Sequence, residues 1–307
     1  MAPHLEFRIP ISPTDGFFAQ VRLFNFALRR LGGPYAGACL RVVIGDHCDL
    51  DAARRANPWS ECDHVIWDRV PDAMFEEADI WGTANWRLSI PAGDADIVIL
   101  SDADTVMLRD IDPLFDDLAR DEPMLLGHMA HYPPPINRDD IPGGLEFWPA
   151  IFDRYGAPLG ERLHRYSMDV DGSLPLAPAY FNLGFVAMNR LALEPLGLDI
   201  HWTDAWLKRR TGSHMRCQIA LPLIAHRRGL TIKCIDAAYN SANDPIHYAH
   251  NNLAPGEIRV LHYLRETELD RRTFLLPSHI DAFLARDMTV SANRDLQQLV
   301  RLYRETL

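Results

Sequence analysis

Two carboxylates one residue apart, Asp102 and Asp104, are the residues in this chain most clearly spaced for chemistry. They lie in a Ser-Asp-Ala-Asp turn that follows directly on Ile97-Val98-Ile99-Leu100. That unbroken apolar, β-branched run suits a strand buried on both faces of a sheet. In open α/β sheets, ligands gather outside the carboxyl ends of the strands. Two carboxylates in one short turn are not both neutralised cheaply by protons at pH 7. Their natural partner is a hard divalent cation, Mn²⁺ or Mg²⁺, which keeps positions free for water and phosphate oxygens. Spacing alone does not single the pair out. Asp49/Asp51, Asp94/Asp96, Asp110/Asp112 and Asp169/Asp171 repeat it, and only Asp102/Asp104 directly follows an unbroken buried strand.

The elements that must position this turn read as alternating strands and helices. Strands are predicted over residues 5–12, 40–44, 64–67, 97–100, 124–129, 180–188, 231–235 and 258–263. Helices are predicted from the Thr14/Asp15 cap to residue 31 and over 84–90, 144–155, 201–210, 213–228, 278–284 and 291–307, with Pro222 kinking the fifth of these seven. Strand, helix and strand within the first 45 residues is the βαβ opening of a doubly wound sheet. Residues 131–144 carry three consecutive prolines and Gly143-Gly144, the composition of a lid, a binding loop or a disordered segment.

Composition excludes several functions. A net charge of -11 over 307 residues argues against a nucleic-acid partner. No run of 18 apolar residues is present and residues 1–10 lack a signal-peptide core, so neither a membrane span nor export is expected; peripheral membrane contact stays open. Five cysteines without Cys-x-x-Cys spacing point to reduced thiols in a cytoplasmic protein. The 13 histidines include no His-x-x-x-His pair on a helix, which argues against zinc catalysis. The seven tryptophans read as packing groups more than sugar platforms. There is no Gly-x-Ser-x-Gly elbow and no phosphate-cradling Gly-x-x-x-x-Gly-Lys loop.

Residues 100–115, Leu-Ser-Asp-Ala-Asp-Thr-Val-Met-Leu-Arg-Asp-Ile-Asp-Pro-Leu-Phe, resemble the Asp-x-Asp segment of nucleotide-sugar-dependent GT-A glycosyltransferases, family eight above all. Three more stretches match in order: Asn85-Trp86-Arg87-Leu88, Tyr180-Phe181-Asn182-Leu183-Gly184-Phe185 on to Asn189, and Val260-Leu261-His262-Tyr263. The resemblance spans residues 5–265. It implies a GT-A-like (Rossmann-like) mixed sheet flanked by helices over 1–265, followed by a helical extension over 266–307.

By the same resemblance, Asp104 would ligate Mn²⁺ or Mg²⁺, Asp102 would share the metal or touch the ribose, and His262 would complete the protein ligands. Arg87 would hold Asp102 or a phosphate oxygen. Thr14 and Asp15 would receive base and ribose as well as cap a helix. Asn182 would face a sugar hydroxyl, and Gln218 would lie near the anomeric carbon. Two departures stand out. Cys217 replaces the acidic member of the family's Asp-Gln pair, and the Gly and Lys-Pro-Trp expected after His262 are missing. Leu264-Arg265-Glu266 and then Arg271-Arg272 follow instead, and Arg265 takes the place of the diphosphate-binding Lys by position.

The function implied is metal-dependent, retaining transfer from a nucleotide-diphosphate sugar, UDP-sugar favoured, to an acceptor the sequence does not choose. A sugar nucleotidyltransferase is the alternative enzyme, but Ser12-Pro-Thr-Asp-Gly16 lacks its Gly-rich basic loop. A non-catalytic nucleotide- or carbohydrate-binding relative is the alternative outside catalysis. The C-terminal helices either cover the sheet or form an oligomer, and their patterning does not decide.

Overall fold

The structure is a computed structural model that describes residues 2–77, 79–138, 140–254 and 256–307. Ten strands are found among them: β1 (Leu5–Ile11), β2 (Cys39–Ile44), β3 (Val65–Arg69), β4 (Ile97–Ser101), β5 (Thr105–Met107), β6 (Met124–Met129), β7 (Phe181–Asn189), β8 (Thr231–Cys234), β9 (Ser241–Ala242) and β10 (Val260–His262). Seven of them form one sheet in the order β3-β2-β1-β4-β7-β6-β8. The β1–β2, β2–β3, β1–β4 and β6–β8 pairs are parallel, whereas β7 runs antiparallel to both β4 and β6. The mixed α/β sheet expected from the sequence is present.

The helices that matter for the site are α1 (Asp15–Arg30), α2 (Trp86–Ser89), α3 (Phe147–Tyr155), α4 (Arg190–Thr211), α5 (Arg216–Arg228), α6 (Ile280–Ala285) and α7 (Ser291–Arg304). β4 is buried along its whole length. Its alternate residues feed two cores, as the period of a strand requires. Val98 and Leu100 pack with residues of β6, β7, α4 and α5, while Ile97 and Ile99 pack with Phe7, Ile9, Val21 and Phe24. A third core joins α1 to residues 269–303 through Leu23, Ala27, Val106, Leu261, Phe274, Phe283, Leu296 and Val300. The C-terminal segment thus closes over α1 and the small sheet.

Several boundaries differ from the sequence reading. The helix expected at 201–210 begins at Arg190, because Asn189 caps it by accepting from the Ala192 amide at 3.1 Å. Pro195 and Gly197 obscured this start. A Cβ at Gly197 would stand 2.6 Å from the Leu88 carbonyl oxygen, so the glycine permits close packing of α4 on α2. The helix expected at 84–90 is instead two short turns, Ile80–Thr83 and α2. The Arg8 guanidinium donates to the carbonyls of Arg87 and Ile90, both at 2.6 Å, and of Pro91 at 3.0 Å, tying off the second turn. Sequence periodicity also missed β5 and β9, each three residues or fewer. They flank β10 in a separate three-stranded sheet, in the order β5-β10-β9.

Candidate active site

The Asp102/Asp104 turn leaves the carboxyl end of β4 and re-enters at once as β5. Ser101 Oγ lies 2.7 Å from Thr105 Oγ1 and 3.1 Å from the Gly184 carbonyl oxygen, and Thr105 Oγ1 donates to the Asp102 carbonyl at 2.7 Å. Antiparallel pairing of β5 with β10 sets His262 opposite Thr105, and the Tyr263 amide donates to the Asp104 carbonyl at 3.0 Å. Local hydrogen bonding fixes the turn, and strand pairing delivers the histidine to it.

His262 Nε2 lies 3.1 Å from Asp104 Oδ1 and 4.0 Å from Asp102 Oδ2. One donor atom from each residue lies within 4.8 Å of the others, the only such trio of His, Cys, Asp or Glu among the described residues. The imidazole has little freedom. Its Nδ1 donates to Asn240 Oδ1 at 3.1 Å, and Asn240 Nδ2 donates to Asn182 Oδ1 at 3.0 Å. An outer partner of this kind fixes ring orientation and directs the Nε2 lone pair inward once that nitrogen is deprotonated. Gly184 supports the ring from behind; a Cβ there would stand 2.2 Å from His262 Nδ1.

Two arginines neutralise the turn. Arg87, buried at the end of α2, donates from Nη1 to the Ser101 carbonyl at 3.1 Å and lies 3.4 Å from Asp102 Oδ1. Arg271 donates from Nη1 to Asp104 Oδ2 at 2.6 Å and from Nε to Glu266 Oε1 at 3.1 Å. Burial alone would raise the Asp104 carboxyl. The charges and hydrogen bonds of His262 and Arg271 overcome it and bring the group down to about 2. Burial would likewise lower His262, but the neighbouring aspartates raise it above its ordinary value. Beside it lie His131, His128 and His247, all pushed down chiefly by burial, His131 and His247 to about 3.

The structure gathers Asp102, Asp104, His262, Arg87 and Asn182 into one place and gives other residues different duties. Thr14 caps α1 by accepting from the Phe17 amide at 3.4 Å, and Asp15 occupies the same helix's exposed first turn. Asn182 Oδ1 is committed to Asn240 and to the Gly184 amide at 2.9 Å. Gln218 donates to Met215 Sδ at 3.2 Å in the first turn of α5, next to Cys217, whose thiol burial pushes up to about 12. Arg265 pairs with Asp244 at 2.9 Å, and Arg271 is the arginine that reaches Asp104. The Arg271-Arg272 pair was visible in the sequence, but nothing in it ranked the two above Arg265. Asn240 carried no sequence signal. Within the proline-rich segment, residues 137 and 138 are pinned to the end of α4: the Asn137 amide donates to the Thr211 carbonyl at 2.9 Å, and Arg138 Nη1 to that of Arg209 at 3.0 Å.

No known family profile matches the chain, and no curated protein does. Solved structures do. The galactosyltransferase LgtC in complex with donor and acceptor sugar analogues superposes with a TM-score of 0.53 at 14% identity, covering 98% of this chain and 100% of that one. This chain has the GT-A fold. An active-site mutant of LgtC gives a TM-score of 0.57 at 15% identity, over 97% and 95% of the two chains. The bifunctional glycosyltransferase WbbM gives 0.50 at 11% identity, over 97% of this chain and 52% of that one. In this chain's GT-A fold, the Asp102/Asp104 turn stands at the carboxyl end of the central strand. Among the described residues, no helix is long and apolar enough to cross a membrane.

Proposed function

We propose that this chain is a metal-dependent glycosyltransferase that moves a sugar from a nucleotide-diphosphate sugar to an acceptor hydroxyl with retention of configuration. The observation that carries the reading is the convergence of Asp102, Asp104 and His262 at the mouth of a GT-A sheet. Two carboxylates and an imidazole suit a small divalent cation that retains open positions, and the nitrogen ligand favours Mn²⁺ over Mg²⁺. Bound there, the cation would supply Lewis-acid stabilisation of the charge developing on the leaving nucleoside diphosphate.

The protein's own groups prepare for that charge. Arg87 holds the Asp102 side of the turn, and Arg271 adds positive charge beside Asp104. Asn240 and Gly184 keep His262 aimed at the aspartates. Thr14 and Asp15, at the amino end of α1, would receive the base and ribose. Asn182 and Gln218 belong to the sugar side. UDP-sugars are the favoured donors, and free Cys39, Cys48, Cys62, Cys217 and Cys234 fit a reducing, cytoplasmic setting. Residues 1–265 form the donor-binding unit, and 266–307 complete it.

The test compares wild type with Asp104→Ala in Mn²⁺-dependent UDP binding and in transfer from UDP-sugars. The variant is expected to lose both while keeping its circular dichroism. Unchanged nucleotide affinity and turnover in Asp104→Ala would overturn the reading.

A further inference from the structure

We propose that Arg271 and a divalent cation exchange places at Asp104: the arginine holds the carboxylate while the metal is absent and turns onto the diphosphate when the metal enters. This inference rests on the metal-dependent reading above and adds an order of events to it.

Both Asp104 oxygens already have nitrogen partners, Oδ1 in His262 Nε2 and Oδ2 in Arg271 Nη1. The Asp104 side chain is only 14% exposed, so a metal cannot approach it without displacing what is already there. His262 offers a ring nitrogen to the metal from where it stands, because Asn240 and Gly184 hold its ring. Arg271 has no such role, since a guanidinium carries only donors and does not deprotonate in proteins. It must move, or it opposes the metal by like-charge repulsion at close range.

The rest of the local structure allows movement of this side chain and of little else. The Arg271 carbonyl accepts from Gln20 Nε2 at 2.7 Å. The Arg272 carbonyl oxygen abuts the start of α1, where a Cβ on Gly16 would be 2.3 Å away. The backbone is therefore anchored on the helix that starts at the nucleotide end of the site. The Arg271 side chain is 35% exposed, and Glu266 holds only its Nε. A freed fork of N–H donors at this position matches phosphate oxygens bidentately. Arg271 is thus a positioning residue with two alternating partners, a carboxylate and a diphosphate.

Exchange predicts effects of opposite sign from one substitution. Arg271→Gln keeps hydrogen-bonding capacity but removes the competing charge. It is expected to tighten binding of Mn²⁺ alone by about fivefold or more, and to weaken UDP binding at saturating Mn²⁺ by a similar factor or more. Arg271→Lys, which retains the charge, is expected to lie between wild type and Arg271→Gln in both measurements. Free Mn²⁺ followed by electron paramagnetic resonance and UDP followed by calorimetry supply the two readouts, with circular dichroism confirming the fold. A purely structural Arg271 would weaken both affinities in step, and that result overturns the exchange. So does Mn²⁺ affinity that stays unchanged in Arg271→Gln, or UDP affinity that stays unchanged while Mn²⁺ tightens. Wild type that takes up no Mn²⁺, with or without UDP, removes the metal-dependent reading itself.

Discussion

Two clusters of buried charge sit on the same sheet and are built on opposite plans. Around Arg8, every strong group is answered from within the protein. Glu6 Oε1 accepts from Arg8 Nε at 2.8 Å and from Arg41 Nε at 2.7 Å, Arg41 also pairs with Asp68, and the remaining Arg8 donors meet three backbone carbonyls. Around Asp104, the partners are a ring nitrogen able to ligate a metal and an arginine that can swing away. The first cluster has its charges met by fixed protein partners. The second holds placeholders. The difference teaches that buried charge marks function here only where the compensating partner is replaceable, since structural ion pairs perturb their surroundings as strongly as sites do.

The sharpest break in the comparison is to remove one partner from each cluster. Arg8→Ala leaves Glu6 buried beside a half-empty network and frees the carbonyls behind α2. It is expected to lower the unfolding free energy by about 3–5 kcal/mol in urea titrations. The Asp104→Ala protein is expected to lose about 1 kcal/mol or less, because Arg271 is part-exposed and His262 can become neutral. Equal destabilisation by the two would erase the distinction.

Gly184→Ala comes next. Its added methyl would overlap the His262 ring and Asn240 Oδ1. Turnover and Mn²⁺ affinity are expected to fall by about a hundredfold through misplacement of the imidazole. The stability cost is about 1–3 kcal/mol, as for other overpacked sites.

The smallest effect is in pH. Burial holds His247 down to about 3 in the folded protein, against about 6.5 when unfolded. Between those values the unfolded chain binds the extra proton, so folding stability rises with pH and is lost on acidification. From pH 7 to pH 5, His247 alone is expected to remove about 2 kcal/mol. His247→Leu should flatten that slope in thermal melts across the same range, and an unchanged slope would show that the histidine does not contribute it.

How much of this was legible in the sequence depends on whether the signal was local. Asp102, Asp104 and the strand beneath them form one continuous stretch, and their context could be read directly. His262 was singled out only by the resemblance of Val260-Leu261-His262-Tyr263 to the family's late His-aromatic pair. Arg87 stood in a recognisable segment, although Arg8 breaks that segment's helix from a distance. Asn240 and the ranking of Arg271 over Arg265 were hidden for a physical reason: each depends on how a loop folds back on the sheet. The same holds for β5 and β9, too short to show a period and formed only because β10 lies between them. Gly197 misled in the other direction, since a residue needed for close packing looked like a helix breaker.

The Arg271–Asp104 pair also sets a timetable. Its members are 167 positions apart. At about 5–20 residues per second of synthesis, roughly 8–33 s separate their emergence from the ribosome. For nearly all of that interval the growing chain carries its acidic turn without the histidine or the arginine that will balance it, since His262 precedes Arg271 by only nine positions. Strands β1 to β4 are by then complete, so the sheet's first half can form around an electrostatically unfinished edge.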